Sequence, residues 1–160
     1  MFRIGIGYDV HRFDENPGRK LVLGGVLIDY EKGLEGVSDA DVLIHAVMDA
    51  LLGAAALGDI GVHFPPSEPQ YKDIDSCLLL EKVIDLLNSR GFEVGNIDTV
   101  IVADKPRLAE YIPKMKENIS RICKIPAERV SIKATTEEGL GLSGKGIGSH
   151  CACTIALRGF

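Results

Sequence analysis

Short apolar segments alternate along the chain with polar segments that contain glycine or proline, a pattern typical of strands and helices joined by turns. The segment from Leu21 to Tyr30 holds two apolar triplets around Gly24-Gly25, which predicts a β-hairpin. Four further segments of strand-like composition predict the main sheet: Phe2 to Val10, Asn96 to Ala103, Val130 to Thr135 and Ser149 to Leu157.

Three longer apolar segments predict helices. In the first, Ser38 is the expected N-cap and Asp41 its capping-box partner, with the helix running to about Leu57. The second should begin at Asp75 or Ser76 and reach Ser89 or Arg90, and the third should run from Tyr111 or Pro113 to about Lys124. Irregular loops are expected in the remaining glycine- and proline-rich segments: 12–20, 63–69 and 137–148.

The order of these elements, β-ββ-α-α-β-α-β-β, favours an α/β fold. We expect residues 1–160 to form one domain, a sandwich of one four-stranded, mainly antiparallel or mixed sheet with helices on one face and a small separate hairpin. A chain of this length can bury a substantial core.

Charge and hydropathy exclude some functions. The formal net charge of −5 argues against a general nucleic-acid binder, which usually carries a basic patch. The longest apolar segment, Val42 to Ile60, is interrupted by His45, Asp49 and Asp59, so no membrane association is expected. Because the chain enters strand-like sequence directly after Met1, we expect a bacterial cytoplasmic protein. In a reducing cytosol its four cysteines should be free thiols.

Candidate metal ligands occur in two places. Asp9 and His11 are two residues apart on a predicted strand, so both side chains leave the same face. His45 lies in the predicted apolar helix. One carboxylate and two imidazoles from two regular elements suit a zinc site with an open fourth position. The alternative is a surface turn together with one hydrogen-bonded core histidine.

A stripe of polar residues marks the same helix. Asp41, His45 and Asp49 are spaced four residues apart, so they share one face. Unpaired buried charge is costly, which favours a role for this stripe. We expect His45 to bind metal and the two aspartates to support it or to contact substrate.

The segment Lys133 to Glu138 combines hydroxyls and carboxylates at a predicted strand end. Its pattern permits two interpretations. It is a simple strand-to-turn cap, or its hydroxyls and backbone N–H groups hold phosphate while a carboxylate holds a hard divalent cation.

Several motifs together resemble one enzyme family. They are Gly7-Tyr8-Asp9-Val10-His11, Ser38-Asp39-Ala40-Asp41-Val42 with His45, Asp49-Ala50-Leu51-Leu52-Gly53-Ala54-Ala55-Ala56-Leu57-Gly58-Asp59-Ile60-Gly61, and Lys133-Ala134-Thr135-Thr136. These motifs look like those of the 2-C-methyl-D-erythritol 2,4-cyclodiphosphate synthase family, and the resemblance extends over nearly the whole chain.

That resemblance implies a homotrimeric phosphorus–oxygen lyase with active sites between subunits. The implied reaction converts 4-diphosphocytidyl-2-C-methyl-D-erythritol 2-phosphate to the cyclic diphosphate and CMP, in the non-mevalonate route to isoprenoids. The 2-phosphate attacks the β-phosphorus, so the protein mainly positions groups and neutralises charge.

The resemblance also implies a role for particular residues. Asp9, His11 and His45 would bind Zn²⁺, and Glu138 would bind Mg²⁺ or Mn²⁺. Thr136 and Asp59 would be catalytic residues, Thr136 by contacting the phosphates. The metal ligands Asp9, His11 and Glu138 would also contact substrate. Asp59 and Gly61 would contact the methylerythritol, and the loop over it would be Phe64, Pro65, Pro66, Ser67 and Glu68. The cytidine pocket would be lined by Ala103, Asp104, Lys105, Pro106, Arg107, Leu108, Ala109 and Thr135. The other implied substrate contacts are Val37, Ser38, Asp49, Ile60, Ala134, Glu137, Leu142 and Lys145.

The chain departs from the family pattern at a few positions. Val37 stands where the family usually has a phosphate-contacting histidine. Leu142, Lys145 and Ile147 replace phenylalanine, arginine and glutamate beside a cavity on the threefold axis, where the family is proposed to bind an isoprenoid diphosphate. Two alternatives to the cyclase therefore remain: a non-catalytic trimer that binds isoprenoid diphosphate, and a zinc phosphodiesterase that uses water.

Overall fold

A computed structural model describes residues 1–159 of the chain. Its regular elements, in chain order, are β1 (Phe2–Arg12), β2 (Leu21–Leu23), β3 (Val26–Ile28), α1 (Val42–Ala54), α2 (Ile60–His63), α3 (Ser76–Ser89), β4 (Phe92–Val102), α4 (Ile112–Cys123), β5 (Val130–Thr135) and β6 (Gly146–Leu157). Short 3₁₀ turns lie at Pro69–Tyr71 and Ala127–Arg129.

One four-stranded sheet organises the fold, with strand order β1-β6-β4-β5. β4 and β5 run parallel, whereas β6 pairs antiparallel with both β1 and β4. The hairpin of β2 and β3 forms a separate two-stranded sheet. The predicted mixed α/β sandwich is therefore confirmed, and within residues 1–159 no helix is both long and apolar enough to cross a membrane.

Helix α1 is the centre of the core. Eleven of its thirteen residues are buried, because it packs on β1 and β6 on one side and on α3 on the other. Gly5 and Gly7 of β1 permit the close approach, since a Cβ atom at either position would lie 1.9–2.0 Å from the carbonyl oxygens of Ala50 and Ala46. A larger residue on β1 would push the helix away from the strand.

The opposite face of β1 is apolar and exposed. Phe2, Ile4, Ile6, Tyr8 and Val10 alternate with the helix-facing residues and are 40–80% exposed. A contiguous apolar patch of this kind usually marks an interface.

The predicted start and end of α1 were wrong. Ala40 has a φ of +58°, which a helix does not permit, so the N-cap is Asp41 and not Ser38. At the other end Ala56 has a φ of +58°, and the Leu57 N–H donates to the Leu52 carbonyl at 2.9 Å. This Schellman-type turn ends the helix three residues earlier than expected.

Three strands were predicted too short. β1 continues past the predicted end at Val10 to Arg12. β4 begins at Phe92 and not at Asn96, because an irregularity between Val94 and Asn96 hides the alternation of its first residues. β6 begins at Gly146 and not at Ser149, because its first residues pair with the end of β1. The predicted bounds of α3 and β5 were confirmed, and all four cysteines are free thiols.

Candidate metal centre and active site

Asp9, His11 and His45 meet at the carboxyl end of β1. Asp9 and His11 leave the same face of the strand, towards α1, as their spacing predicted. Asp9 Oδ2 lies 2.9 Å from both His11 Nε2 and His45 Nδ1, and the two nitrogens lie 3.3 Å apart. Within residues 1–159, no other group of three or more histidine, cysteine, aspartate or glutamate side chains is close enough together to hold an ion.

These distances fit a tetrahedral zinc ion. Ligands about 2.0–2.1 Å from zinc lie roughly 3.3 Å from one another in a tetrahedron. The three observed separations are close to that value. The side chains of Asp9, His11 and His45 are 23%, 21% and 9% exposed, so the site can be reached from one side. The donor set and its spacing therefore fit the predicted metal.

The electrostatics of the three groups are coupled. Burial alone would raise the pKa of Asp9, but hydrogen bonds and charge from His11 and His45 hold it well below its usual range. Burial alone would lower the pKa of His11, but the Asp9 carboxylate raises it. The ionised form of Asp9, which is the form that binds a cation, is therefore favoured.

A cleft of about 370 Å³ opens on the three ligands. Among the predicted substrate contacts, it is lined by Val37, Ser38, Ile60, Gly61, Phe64 and Pro66. Gly36, Tyr71 and Leu79 also line it and were not predicted. Their sequence context gives no functional signal, since the fold alone brings the first turn of α3 and the 3₁₀ turn at Pro69–Tyr71 to the cleft.

The wall formed by α2 is positioned by two aspartates. Asp59 caps α2 by accepting the Val62 N–H at 3.1 Å, and Asp59 is exposed to solvent. Asp49 accepts the Ile60 N–H at 2.8 Å, and burial raises the pKa of Asp49. Residues Ile60–His63, which were expected to be part of an irregular connection after α1, form a helical turn. The chain then continues through Pro65, Ser67 and Glu68 as a non-helical turn.

Asp41 does not face the cleft. It is fully buried, and its carboxylate accepts the N–H groups of Gly24, Gly25 and Ile44 at 2.7–3.0 Å. The expectation that Asp41 supports the metal or contacts substrate was wrong. The predicted stripe is divided because Asp41 joins the hairpin to the start of α1, whereas His45 and Asp49 face the site.

Arg19 holds the segment beside the metal ligands, a role that the sequence did not indicate. Its guanidinium donates to the carbonyls of Leu34, Gly36 and Ser38 at 2.7, 3.0 and 2.5 Å. This segment carries Val37, which is 43% exposed at the cleft. Arg19 lies in a loop that was predicted only as irregular.

A second group of predicted residues gathers where the parallel strands β4 and β5 end. The Ala103 N–H donates to the Thr135 carbonyl at 2.9 Å, and the Glu137 N–H lies 3.5 Å from Asp104 Oδ1. Ala134, Thr136, Lys105, Arg107 and Ala109 are exposed there, and Pro106 is half-buried. Leu108 is 3% exposed, so its side chain belongs to the core and only its backbone can face a ligand.

Glu138 stands alone as a potential metal ligand. It is exposed, and its Oε1 accepts the Thr136 hydroxyl at 3.0 Å. Glu137 instead closes the loop by accepting the Leu142 N–H at 2.5 Å. Leu142 and Lys145 line a separate cavity of about 780 Å³ beside His11 and Arg12. Ile147 is fully buried within the single chain.

A mixed sheet backed by helices, with two imidazoles and a carboxylate converging at an open cleft, defines an α/β protein with a candidate metal centre. The chain belongs to the YgbB family, whose model matches residues 2–158. It is 57% identical over 155 residues to the 2-C-methyl-D-erythritol 2,4-cyclodiphosphate synthase of Clostridium perfringens, covering 96% of this chain and 98% of that protein.

Solved structures show the same fold. The bifunctional IspDF from Campylobacter jejuni superposes with a TM-score of 0.92 at 38% identity, over 98% of this chain and 42% of that longer protein. A 2C-methyl-D-erythritol-2,4-cyclodiphosphate synthase described as a CDP-bound form superposes with a TM-score of 0.88 at 32% identity, over 96% of this chain and all of that one.

Proposed function

We propose that this chain converts 4-diphosphocytidyl-2-C-methyl-D-erythritol 2-phosphate to 2-C-methyl-D-erythritol 2,4-cyclodiphosphate and CMP. The observation that carries the proposal is the convergence of Asp9, His11 and His45 at the cleft, in a chain 57% identical to a named synthase. This full ligand set and these relatives do not favour the non-catalytic alternative.

The reaction needs no nucleophile from the protein. An oxygen of the 2-phosphate attacks the β-phosphorus of the diphosphate, the new P–O–P bond closes the ring, and the bond to the CMP oxygen breaks. CMP leaves with the electron pair of that bond. Such a transfer depends on alignment of the two phosphates and on neutralisation of their charge.

Asp9, His11 and His45 would hold zinc, and their spacing supports that ion. When bound, zinc would act as a Lewis acid towards a phosphate oxygen. The protein's part is to hold the ligands in place. Asp9 and His11 come from the edge strand β1, which pairs with β6 along its length, and His45 comes from the central helix, so regular structure holds all three ligands.

Glu138 would hold Mg²⁺ or Mn²⁺ with the help of substrate phosphates. A single protein carboxylate is typical of magnesium, which commonly takes its other ligands from water and phosphate. The hydrogen bond between the Thr136 hydroxyl and Glu138 places both groups at one strand end. With substrate bound, the Thr136 hydroxyl would turn its single proton from Glu138 to a phosphate oxygen and so stabilise the transition state.

Two further surfaces would bind the methylerythritol and cytidine parts of the substrate. The exposed Asp59 carboxylate, with Ile60, Gly61 and the loop from Phe64 to Glu68, would contact the methylerythritol. Ala103 to Ala109, with Ala134 and Thr135, would hold the cytidine. Val37 faces the cleft without a donor for phosphate, and the Ser38 hydroxyl is bonded to His45 Nε2 at 3.2 Å.

A homotrimer would bring these surfaces together. The strand order places β6 and β4 between β1 and β5, so the metal ligands and the proposed cytidine site lie roughly 14 Å apart in one chain at about 4.8 Å per strand. The exposed apolar face of β1 supports an interface at that edge. An isoprenoid diphosphate, bound in the threefold cavity beside Leu142 and Lys145, would be a further ligand of the trimer.

The test is a turnover assay with the purified chain, substrate, zinc and magnesium. CMP and the cyclic product should form together, and His45→Ala should reduce the rate at least a hundredfold. Removal of either metal by chelation should also stop the reaction. Absence of cyclic product from well-folded, metal-loaded protein would contradict the proposal.

A further inference from the structure

The atom of His45 that faces away from the metal ligands is also held by the protein. Its Nε2 lies 3.0 Å from the hydroxyl oxygen of Ser76, at the start of α3. Ser76 is completely buried and His45 is 7% exposed. A polar contact so well shielded from water is costly unless both partners are satisfied.

The proton of the Ser76 hydroxyl is directed to Asp39. Ser76 Oγ donates to Asp39 Oδ1 at 2.5 Å, and the backbone N–H of Ser76 donates to Asp39 Oδ2 at 3.0 Å. Because a carboxylate can only accept, the Ser76 hydroxyl cannot use the same proton towards His45. Ser76 Oγ must therefore accept a hydrogen bond from Nε2–H of His45.

We propose that Ser76 and Asp39 form a relay that fixes a proton on His45 Nε2, orients the ring, and so presents Nδ1 to the metal. The inference rests on the proposed zinc site. A metal-bound histidine commonly donates its second ring N–H to a supporting acceptor, and loss of that acceptor typically weakens metal binding about 10- to 100-fold. Ser76 and Asp39 are positioning residues, since both act through His45.

Ser38 is the nearest competitor for the same nitrogen. Its hydroxyl lies 3.2 Å from Nε2 and accepts the Ala40 N–H at 3.2 Å. No carboxylate of the described residues is bonded to the Ser38 hydroxyl, so its proton can point either way. Ser38 alone therefore does not determine which nitrogen of His45 carries the proton.

The experiment measures zinc affinity by competition with a chromophoric chelator. Ser76→Ala should bind zinc about 10- to 100-fold more weakly than the parent. Ser76→Thr keeps the hydroxyl and should stay within threefold. Ser89→Ala, at the far end of α3 where the hydroxyl donates to the Leu86 carbonyl, is the matched control and should equal the parent. The thermal midpoints of the metal-free forms should agree within a few degrees.

The outcomes separate the two proposals. If the parent itself binds no zinc, the metal site of the proposed function fails. If the parent binds zinc and Ser76→Ala stays within threefold of it, the relay is wrong while the metal site stands. Equal losses in Ser76→Ala and Ser76→Thr would also overturn the relay. Should Ser76→Ala not fold, Ser76→Cys makes the same test, because a thiol is a weak acceptor of similar shape.

Discussion

Gly7 lies directly against the carbonyl of Ala46, at a distance that leaves no room for a side chain. A Cβ atom on Gly7 would stand 2.0 Å from that oxygen. This contact sets the distance between β1 and α1. The same two elements carry Asp9 and His45, so the spacing of the proposed zinc ligands depends on a glycine that touches no metal.

Gly7→Ala should therefore weaken zinc binding as well as the fold. Overpacking of this kind typically costs about 1–3 kcal/mol of unfolding free energy, because the helix must move off the strand. Denaturant unfolding and chelator competition measure the two effects. Gly53→Ala is the control, since a Cβ there lies 3.9 Å from its nearest neighbour and should be neutral or slightly stabilising. Unchanged zinc affinity in Gly7→Ala would contradict the argument.

Asp41 should contribute to stability in a pH-dependent way. Burial, with repulsion from Asp39, raises the pKa of Asp41 from 3.8 to about 6. The folded state then binds a proton more tightly than the unfolded state. The stability from this proton is complete below about pH 3.8 and is lost as pH rises through about 6.

Asp41→Asn supplies the measurement. The unfolding free energy of the parent relative to the variant should fall by about 2 kcal/mol between pH 4 and pH 7. The variant should also be less stable than the parent at low pH, because one amide oxygen cannot accept from the N–H groups of Gly24, Gly25 and Ile44 together. A difference that rises with pH would show that Asp41 stays ionised throughout.

Val37→His should increase the turnover rate. Val37 lines the cleft and is 43% exposed, so an imidazole fits there without disturbing the core. An added donor aimed at a phosphate in the transition state is worth about 2–4 kcal/mol, and a gain of tenfold or more in kcat is expected. Val37→Gln, which adds a donor of different geometry, is the comparison. No gain with histidine would mean that another donor already serves this position.

Ile6→Asp should prevent assembly. Ile6 is 80% exposed in the centre of the apolar face of β1, where a carboxylate would be buried in the proposed trimer. Light scattering after size exclusion should give the mass of a trimer for the parent and a smaller mass for the variant. Leu78→Asp, at an exposed position on α3, should keep the parent's mass. A trimer of Ile6→Asp would place the interface elsewhere.

Local sequence signals predicted most of the fold. The hairpin follows from Gly24-Gly25, both of which have positive φ, and α3 from its cap at Asp75. The spacing of Asp9 and His11 placed them correctly on one face, and His45 was singled out by its apolar surroundings. These features depend on neighbours a few residues apart.

The rest depends on contacts that are distant in sequence. Asp41 was assigned to the site because the polar stripe does not reveal that the hairpin reaches back to that carboxylate. Arg19 and Ser76 gave no functional signal, since their partners lie 15–37 residues away. The division of the proposed active site between opposite edges of the sheet follows only from the strand order.

In the proposed reaction the substrate's own phosphate, and not water, attacks the diphosphate. Turnover of the metal-loaded protein in H₂¹⁸O, followed by mass spectrometry of both products, tests it directly. We predict a cyclic diphosphate and CMP that both lack ¹⁸O. A linear product carrying one ¹⁸O atom would contradict the account and identify a zinc phosphodiesterase.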